Sequence, residues 1–483
     1  MARKRNAPLL PPAQRHLVTR FGYGVNTQLA GDVRRAGGAQ AWFERQLTRP
    51  GSFPDSGAAT VRRWYPDLDR GPADLWKRQI DEVRGGWEVM QDYGRWLLVR
   101  RIRTRRPVLE KMTEFWEGML HVPASGDGQF TWRVDYGDTI RRHALGRFDE
   151  MLVETTTHPA MLIFLSAAKS TKKAPNENLG RELLELHTVG AGNYTEDDVK
   201  ASARILTGWH VDLGKTWEAS YVKEDHYRGR VKVKGFSAKN KSADGRKVTR
   251  KYLKYLAHHP QTAQRIAERL ATKFVQDDPP RSLVNRLAKV YLANDTAIVP
   301  VLRALVASKE FKAAAGRKLR DPSEDVVATY RALGVRVDRP RNGDSAANAI
   351  LWQASGLGLS PHAWPRPDGP PVTDEVWASP SRALGSMSMH WSMAGGWWPR
   401  AGLRHPTPDR WMPAKKPIRF ADLVDEVSRD LLHRPATRGL VTTASLATGC
   451  KPREKIDREH ALYRWNFPRL LAAVLDSPDH LAC

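Results

Sequence analysis

A chain of 483 residues, 41% of them hydrophobic, can bury a sizeable core, which excludes an intrinsically disordered protein. The formal net charge of +25 attracts nucleic acid, anionic lipid or acidic polymers, but it does not predict a fold. No apolar run approaches the roughly 20 residues that a membrane-spanning helix needs. The only cysteines, Cys450 and Cys483, are too few for a disulfide framework.

The start of the chain and its length set further expectations. Residues 1–6 are basic and lead into proline-containing sequence instead of an apolar segment, so we predict no signal peptide and a cytoplasmic protein. The length predicts two or three packed regions. We place an N-terminal helical region at 1–130, a helical core with a short β region at 131–335, and a Trp-rich loop region with C-terminal helices at 336–483, with one continuous domain as the alternative.

Helical patterns dominate the first third of the chain. Residues 15–24 are typical of a helix end that runs into a glycine-bearing turn. Pro107 opens another helix, and residues 136–165 continue helical with a break near Pro159. The apolar side chains after Pro107 recur every three or four positions and form one stripe, namely Leu109, Met112, Phe115, Trp116 and Met119. That stripe predicts the core side of an amphipathic helix.

Residues 176–209 form the clearest local unit and predict a helical hairpin. Gly190 closes the first helix, and Thr195 opens the second, with Asp198 in the position of a capping-box acid. Gly208 ends the second helix. A DNA-reading helix-turn-helix is disfavoured, because three consecutive acids would stand at the start of the recognition helix and face phosphates.

The pattern changes to a period of two after the hairpin. Val231 and Val233 alternate with basic residues, which predicts a half-buried strand with a basic face, and residues 237–250 follow as a loop. Helices then resume, and Asp321 supplies the N-cap of one that begins at Pro322. The chain is therefore predicted to be mainly α, a multi-helix globular body with a minor β-hairpin.

Residues 351–399 differ in kind from the rest, because tryptophans are scattered among glycine and proline. The tryptophans are Trp352, Trp364, Trp377, Trp391, Trp397 and Trp398. The segment is too irregular for a helix and too aromatic for a disordered linker, so we expect an ordered Trp/Pro/Gly-rich loop packed over the helical body. Exposed tryptophans could stack on sugars or bases, but anchoring a long loop is their commoner use.

One face of the first hairpin helix is polar. An amide, a guanidinium and two carboxylates share a stripe at positions i, i+3, i+4 and i+7, namely Asn178, Arg181, Glu182 and Glu185. His187 points away from this stripe, and the Glu-x-x-His spacing of di-iron bundles is not met, which disfavours a metal on this helix. An exposed stripe would be an ordinary charged face, whereas a buried one would be an ion network or a reactive site.

We expect a polar site between the two hairpin helices and the turn at residues 224–227, with hydrolase-like chemistry as the favoured enzyme class. Carboxylates would serve as acid, base or metal ligand, and an arginine would orient an anionic group. The catalytic candidates are Glu182, Glu185, Arg181, Arg204 and His226. The substrate-binding candidates are Asn178, Trp209, His210 and Asp225. The pattern of these residues does not indicate any particular metal or cofactor.

Two other hypotheses compete with this one. A non-catalytic basic scaffold would bind nucleic acid or another polyanion through arginine clusters such as residues 100–106, and its affinity would fall steeply with salt. Long basic side chains also solvate helix surfaces in proteins that bind no polymer, which favours the plainer interpretation of that cluster. The third hypothesis makes the polar stripe a buried structural network, in which Arg181→Ala would strand a buried carboxylate.

Residues 176–190, 194–199 and 203–209 together resemble one known family. They are similar to the bacterial family called domain of unknown function 1800, in an actinobacterial-type form, and further matching segments extend over nearly the whole chain. The resemblance implies no agreed activity, and many relatives look exported.

Two departures from the resembled family bear on the site. Many relatives carry an Asp-Asn pair where this chain has Ser166 and Ala167, and an Asn-His pair where it has Gly118 and Met119. Both losses favour a structural role for those positions, or a degenerate site in this protein.

Overall fold

The computed structural model describes residues 8–126, 128–412 and 417–483. The basic start of the chain, at residues 1–6, lies outside the described residues. Throughout these ranges the fold is mainly α, with short strands in two-stranded sheets, which confirms the predicted fold class. No helix there combines the length and the apolar content that crossing a membrane requires.

The first part of the chain is almost entirely helical. Its helices are α1 (Pro12–Arg20), α2 (Thr27–Ala36), α3 (Ala39–Thr48), α4 (Ser56–Ala59), α5 (Pro72–Ile80), α6 (Gly86–Arg103), α7 (Pro107–Met119), α8 (Arg133–His143), α9 (Phe148–Thr156), α10 (Pro159–Phe164), α11 (Glu177–Glu182) and α12 (Glu196–Ile205). A π-helical turn, Leu183–His187, continues α11. The helix predicted from Pro107 is α7, and its apolar stripe is buried. The segment predicted as residues 136–165 is divided among three helices, α8 to α10.

Helices also dominate the remainder of the chain. They are α13 (Arg246–Ala257), α14 (Pro260–Phe274), α15 (Arg281–Ala293), α16 (Ile298–Ala307), α17 (Lys309–Ala313), α18 (Pro322–Leu333), α19 (Ala346–Gly356), α20 (Pro380–Gly395), α21 (Phe420–Leu431), α22 (Arg438–Thr448), α23 (Phe467–Leu475) and α24 (Pro478–Leu481). The predicted cap of α18 is confirmed, because the Asp321 side chain accepts a hydrogen bond of 2.9 Å from the backbone nitrogen of Glu324.

Short strands form antiparallel pairs. The pairs are β1 (Trp209–Val211) with β2 (Ala219–Tyr221), β3 (Val231–Val233) with β4 (Phe236–Ala238), β5 (Arg336–Val337) with β6 (Leu403–Arg404), and β7 (Ile418–Arg419) with β8 (Lys455–Ile456). The predicted strand is β3, and both of its valines are buried. The other strand pairs cannot be predicted from the sequence, because strands of two or three residues are too short to show an alternation of apolar and polar side chains. The loop expected at 237–250 is shorter, since β4 extends to Ala238 and α13 begins at Arg246.

The Trp-rich region differs from its prediction. Residues 380–395, expected to be irregular, form the helix α20, which Ser379 caps by accepting a hydrogen bond from Arg382 N. Trp377 is buried and anchors the loop before α20, as expected. Four other tryptophans are exposed, namely Trp352, Trp391, Trp397 and Trp398. The anchoring role is therefore wrong for these four, which leave much of their rings in water.

The hairpin of α11 and α12 forms as predicted. The Asn176 side chain caps α11, and Thr195 and Asp198 form a reciprocal capping box at the start of α12. A Cβ placed on Gly180 would lie 2.9 Å from the backbone nitrogen of Ala203. The two helices therefore approach backbone to backbone, and glycine permits that contact.

Two hydrophobic cores share the interior. One draws mainly on α1–α3 and α7–α17, and the other mainly on α6 and α18–α23. Where they meet, buried charged side chains of α7 pair with charged side chains of α6 and α18. The proposed division of the chain at residues 130 and 335 stays a prediction. A charged layer between two apolar cores is the feature that positions the candidate site.

Candidate functional site

The predicted polar stripe lies at the protein surface. Arg181 donates two hydrogen bonds, each 2.7 Å long, to the carboxylate of Glu196 on α12. The side chains of this pair remain 35% and 64% exposed. The hydroxyl of Tyr194 donates to Glu185, and Asn178 is exposed. The hypothesis of a buried structural network around Arg181 is therefore wrong, because neither partner is withdrawn from water.

Two side chains of the hairpin helix have unusual surroundings. Glu182 is half-buried, and its burial, together with the charges of Glu185 and Asp368, raises its pKa. His187 is buried away from the stripe, as predicted, and neither ring nitrogen has a hydrogen-bond partner within the described residues. Burial and the nearby Arg265 lower the pKa of His187 to about 3, so its ring is neutral.

The other half of the predicted site, Asp225 and His226, has hydrogen-bond and ion-pair partners outside the stripe. His226 is buried, with Nδ1 3.1 Å from the carbonyl oxygen of Thr207 and Nε2 3.0 Å from the side-chain oxygen of Asn240. His210 Nε2 lies 3.3 Å from the carboxylate of Asp225. Among the described residues, no hydrogen bond or ion pair connects these groups with the stripe. The expected meeting of the turn and the hairpin carboxylates in one site therefore stays a prediction that no direct contact supports.

The remaining candidates, Arg204 and Trp209, have aromatic partners. The guanidinium of Arg204 lies 5.2 Å from the ring centroid of Tyr227, and Trp209 meets Tyr221 edge-on at 5.0 Å. Arg204 forms no ion pair with a stripe carboxylate in the part of the chain that the structure describes. These contacts hold β1, β2 and the following turn together.

The arginine-rich segment 100–106 is folded against the protein and does not form a phosphate-binding face. Its arginines bind protein acceptors, namely Arg100 to Glu110, Arg103 to the Val337 carbonyl, Arg105 to Asp32 and Arg106 to the Phe53 carbonyl. Guanidinium groups used in this way are not available to an external polyanion. This cluster therefore cannot supply the charge that the scaffold hypothesis assigned to it.

A small cavity lies where α7, the start of α18 and residues 359–372 meet. Its volume of about 70 Å³ has room for a few water molecules or one small ligand group. The titratable side chains that line it are Arg101, Glu114, Glu117, His121, Lys273, Asp321 and His362. Most of them belong to the charged layer between the two cores.

Glu117 is the most unusual acid of this cavity. Its Oε1 accepts hydrogen bonds from the Tyr93 hydroxyl at 3.2 Å and from Arg133 at 3.3 Å, whereas Oε2 has no partner in the described residues. Burial raises the pKa of Glu117, and the positive charge of Arg133 does not cancel this effect. A buried carboxyl oxygen without a partner is costly, which favours a water molecule or a ligand group beside it.

His362 stands next to Glu117 in a left-handed backbone conformation, with φ of +59°. Arg133 Nη2 donates to its Nδ1 at 2.6 Å, so the ring proton resides on Nε2, which lies 3.5 Å from Glu117 Oε1. Burial and the charge of Arg133 lower the pKa of His362 and keep the ring neutral. Left-handed residues other than glycine are strained, and such positions concentrate at functional sites.

His121 ties residues 359–372 to α7. Its Nε2 lies 2.8 Å from the carbonyl oxygen of Trp364, and its Nδ1 lies 3.3 Å from the carbonyl oxygen of Glu117. Burial lowers the pKa of His121 to about 4, so the ring is neutral near pH 7. A neutral imidazole carries one N–H, so it donates to one of these two carbonyl groups at a time.

Three carboxylates, Glu114, Asp321 and Glu324, gather beside the cavity, with oxygen atoms within 4.8 Å of one another. Lys273 donates to Asp321 at 3.2 Å and to Glu324 at 2.9 Å, and Lys111 pairs with Glu324. Burial and the charge of Glu324 raise the pKa of Asp321 to about 6. Burial opposes ionisation of Glu324 as well, but the two lysines outweigh it and lower its pKa. Neighbouring acids whose pKa values are driven apart in this way are typical of acid–base sites.

Carboxylate oxygens this close could ligate a hard cation. Here the ammonium groups of Lys111 and Lys273 already bind them, and Arg101 lies 3.7 Å from Glu114. Three cations therefore face three carboxylates, and a divalent ion would have to displace a lysine. The donor set fits an ion network better than a metal centre.

Another group of potential metal ligands comprises Asp325, His390 and His480, all buried. Asp325 accepts a hydrogen bond from Arg382 at 3.2 Å and lies 3.1 Å from His390 Nε2, while His390 Nδ1 lies 2.7 Å from Asp476. Burial opposes the charge of His390, but Asp325 and Asp476 outweigh it and raise its pKa to about 9. A protonated His390 between two carboxylates completes this network without a metal.

The family departures at residues 118 and 119 have structural consequences here. Gly118 borders the cavity, and its carbonyl oxygen would lie 1.9 Å from a Cβ placed on Gly369. This backbone contact lets residues 359–372 close over the cavity, while Met119 is buried in a core. At the other departure, Ser166 is exposed with φ of +58° and Ala167 is buried.

Sequence reasoning missed Glu117, His121 and His362. The signal for the first is a second acidic stripe, because α7 carries Glu110, Glu114 and Glu117 at positions i, i+4 and i+7 beside its apolar stripe. No local pattern marks His362, since its partners come from α6, α7 and α8. Only the folded chain brings these segments together.

Comparison with known proteins reveals the family of this chain. A family model described as a protein of unknown function, DUF1800, matches residues 16–482. No curated protein and no solved structure matches the chain. The family match spans both the hairpin and the cavity, and it confirms the resemblance seen in the sequence. The protein therefore belongs to the DUF1800 family.

Proposed function

We propose that this protein is an acid–base enzyme with hydrolase-like chemistry, and that Glu117 is its proton-transferring group. The observation that supports this most directly is the carboxyl group of Glu117, a residue that lines the cavity and whose buried Oε2 has no hydrogen-bond partner among the described residues. A general base needs contact with its substrate and a pKa near the working pH. Glu117 lines the cavity, where a substrate would meet it, and burial shifts its pKa upward, toward the working pH.

In the proposed reaction, the carboxylate of Glu117 takes a proton from a water molecule in the cavity. The water oxygen forms a bond to the electrophilic carbon or phosphorus of the substrate, and the bond to the leaving group breaks. Glu117 then returns the proton to the leaving group, so the reaction needs no oxidant or reductant. The neutral ring of His362 stands beside this carboxyl group, with Nε2 3.5 Å from Oε1.

Charged side chains around the cavity bear on the substrate class. Arg101 and Lys273 line the cavity, each paired with a carboxylate, and hydrogen-bond donors held in a water-poor site stabilise negative charge that develops on a substrate in the transition state. Asp321, with a pKa of about 6, is a second acid beside the cavity. We therefore favour a small ester or a related acid derivative as the substrate.

The test compares Glu117→Gln with Glu182→Gln in the purified full chain, using hydrolysis of p-nitrophenyl acetate and p-nitrophenyl phosphate. Glutamine keeps the size of glutamate but cannot accept the proton, so Glu117→Gln is expected to lower kcat about 10²–10⁴-fold. Glu182→Gln, the matched control on the hairpin, should keep the wild-type rate. The reverse ranking of the two variants contradicts the proposal and returns the site to the hairpin.

A second measurement needs no substrate. Infrared spectra recorded across a pH series should contain a protonated carboxyl band that titrates above the ordinary range of glutamate, because burial raises the pKa of Glu117. That band should be missing from Glu117→Gln and present in Glu182→Gln. If Glu117→Gln retains every such band, Glu117 does not hold the proton.

A further inference from the structure

A strongly basic part of the surface lies between residues 228 and 254. This segment contains eleven lysines and arginines but a single acid, Asp244. It comprises residues 228–230, β3, β4, the connection that follows them and the first nine residues of α13. Nine of its cations are exposed, and we call them the basic surface, namely Arg228, Arg230, Lys232, Lys239, Lys241, Arg246, Lys247, Arg250 and Lys251.

Most of these cations lack an intramolecular partner. Arg246 pairs with Asp244 at 2.6 Å, and the other eight form no ion pair with any residue that the structure describes. Lys254, at the border of the segment, is half-buried and pairs with Asp149. The contrast with residues 100–106 is clear, since those arginines bind protein acceptors. Unpaired like charges repel one another, so an anion that bound here would relieve their repulsion.

The buried side of the segment holds the basic surface in a fixed shape. Val231 and Val233 of β3 are buried, which turns Lys232 between them outward. On α13, Tyr252 and Leu253 are buried, and the exposed cations occupy the opposite side of the helix. The charged side chains therefore project from a packed hairpin and a packed helix.

His226, one of the predicted catalytic residues, anchors the connection that carries this surface. Its ring contacts Asn240, whose amide donates a hydrogen bond of 2.7 Å to the carbonyl oxygen of Tyr227. A Cβ placed on Gly245 would lie 2.1 Å from the His226 ring, so α13 begins directly against it. His226 thereby positions the strand half and the helix half of the basic surface relative to each other.

Residues 169–173 form a second segment with exposed lysines, beside the turn that precedes β3. The backbone nitrogen of Lys172 donates to the carbonyl oxygen of Asp225 at 2.7 Å, which places this segment against the turn. Lys169, Lys172 and Lys173 are all exposed. They extend the positive charge beyond the hairpin and α13.

We propose that the basic surface binds nucleic acid through the phosphate backbone. Exposed and unpaired cations on a rigid support complement a chain of phosphates, and contacts of this kind require no recognition of bases. Binding to an anionic membrane would also use apolar side chains beside the cations. In this segment Val231 and Val233 are buried, and so are Tyr252, Leu253 and Leu256 of α13. We therefore expect binding that depends on salt and not on base sequence.

The experiment measures fluorescence anisotropy of a labelled DNA duplex of about 20 base pairs with the full chain, from about 50 to 200 mM NaCl. A triple variant removes three cations of α13, namely Lys247→Gln, Arg250→Gln and Lys251→Gln. A matched control removes three exposed cations elsewhere, namely Arg281→Gln, Lys289→Gln and Lys309→Gln. All six side chains are exposed, so both variants should fold.

We expect the α13 variant to weaken binding at least about tenfold and to reduce the salt slope by about 2–3, with little change in the control. Equal losses in the two variants would assign the effect to net charge and overturn the proposal. Absence of binding at the lowest salt would overturn it as well. So would tighter binding to vesicles that contain phosphatidylserine than to DNA. Glu117→Gln should bind DNA like the wild type, which keeps this proposal separable from the reaction.

Discussion

The two polar stripes of this protein have the same spacing and opposite surroundings. Residues 110–117 of α7 and residues 178–185 of the hairpin helix both place polar groups at positions i, i+4 and i+7. The acids of α7 lie in a charged layer between two cores, whereas those of the hairpin face solvent and surface partners. Spacing shows which side chains share a helix face. Segments far along the chain decide what that face meets.

The surroundings also decide what each stripe contributes to stability. Removing one partner of a buried ion pair leaves an uncompensated charge in a medium of low polarity, which is strongly destabilising. An exposed pair gains little over its contacts with water. The two stripes should therefore respond very differently to the loss of one charge.

Replacement of Lys111 with methionine should have the largest effect. Lys111 is buried, pairs with Glu324 and lies 4.4 Å from the ring centroid of Tyr23. The substitution leaves Lys273 as the remaining bonded cation of Glu324, and we expect the free energy of unfolding to fall by about 3–5 kcal/mol. Urea-induced unfolding followed by tryptophan fluorescence measures the change.

A surface lysine provides the matched control. Lys77 is exposed and pairs with Asp81 one helical turn away, so Lys77→Met should leave the free energy of unfolding nearly unchanged. If Lys111→Met and Lys77→Met lowered the free energy of unfolding by similar amounts, burial of the charged layer would not explain its contribution to stability.

The network of Asp325, His390 and Asp476 predicts how the stability of the protein depends on pH. Burial opposes the charge of His390, but Asp325 and Asp476 raise its pKa to about 9, above the ordinary value of 6.5. Because the pKa is higher in the folded state, protonation of His390 stabilises the fold fully below pH 6.5. This stabilisation is lost as the pH rises through about 9. A shift of this size corresponds to about 3 kcal/mol.

Unfolding of the wild type and of His390→Gln at a series of pH values tests this assignment. The stability gap between them should be widest at about pH 6 and should narrow by about pH 10. Comparison with the variant removes the contribution of lysines and tyrosines that also titrate in this range. A gap that stays constant would mean that His390 is not charged in the folded protein.

Local signals predicted much of the fold. The helix start at Pro107, the capping box at Thr195 and the cap at Asp321 are all confirmed, because each is encoded within about one helical turn. Ser379 and Pro380 begin α20 with the same kind of signal as Asp321. The sequence pattern nevertheless did not predict α20, because glycine, serine and tryptophan within it weaken the helical pattern.

The candidate site was beyond the reach of such signals. Glu117 acquires its unusual surroundings from Tyr93, Arg133 and His362, which stand on other segments. A histidine near a turn also gives no sign of how its ring nitrogens are used. The structure commits those of His226 to backbone and amide oxygens. Because these contacts depend on the tertiary structure, the candidate site lies at the cavity, whereas the sequence predicted it at the hairpin.

The pair of Arg181 and Glu196 should give the smallest effect. In a double-mutant cycle with alanine at each position, we expect a coupling energy close to zero, because both side chains keep contact with water. The coupling should shrink further in about 1 M NaCl, where the screening length falls to about 3 Å. A large coupling that resists salt would mean that the hairpin face is shielded from water. The two stripes would then differ in their partners and no longer in their exposure.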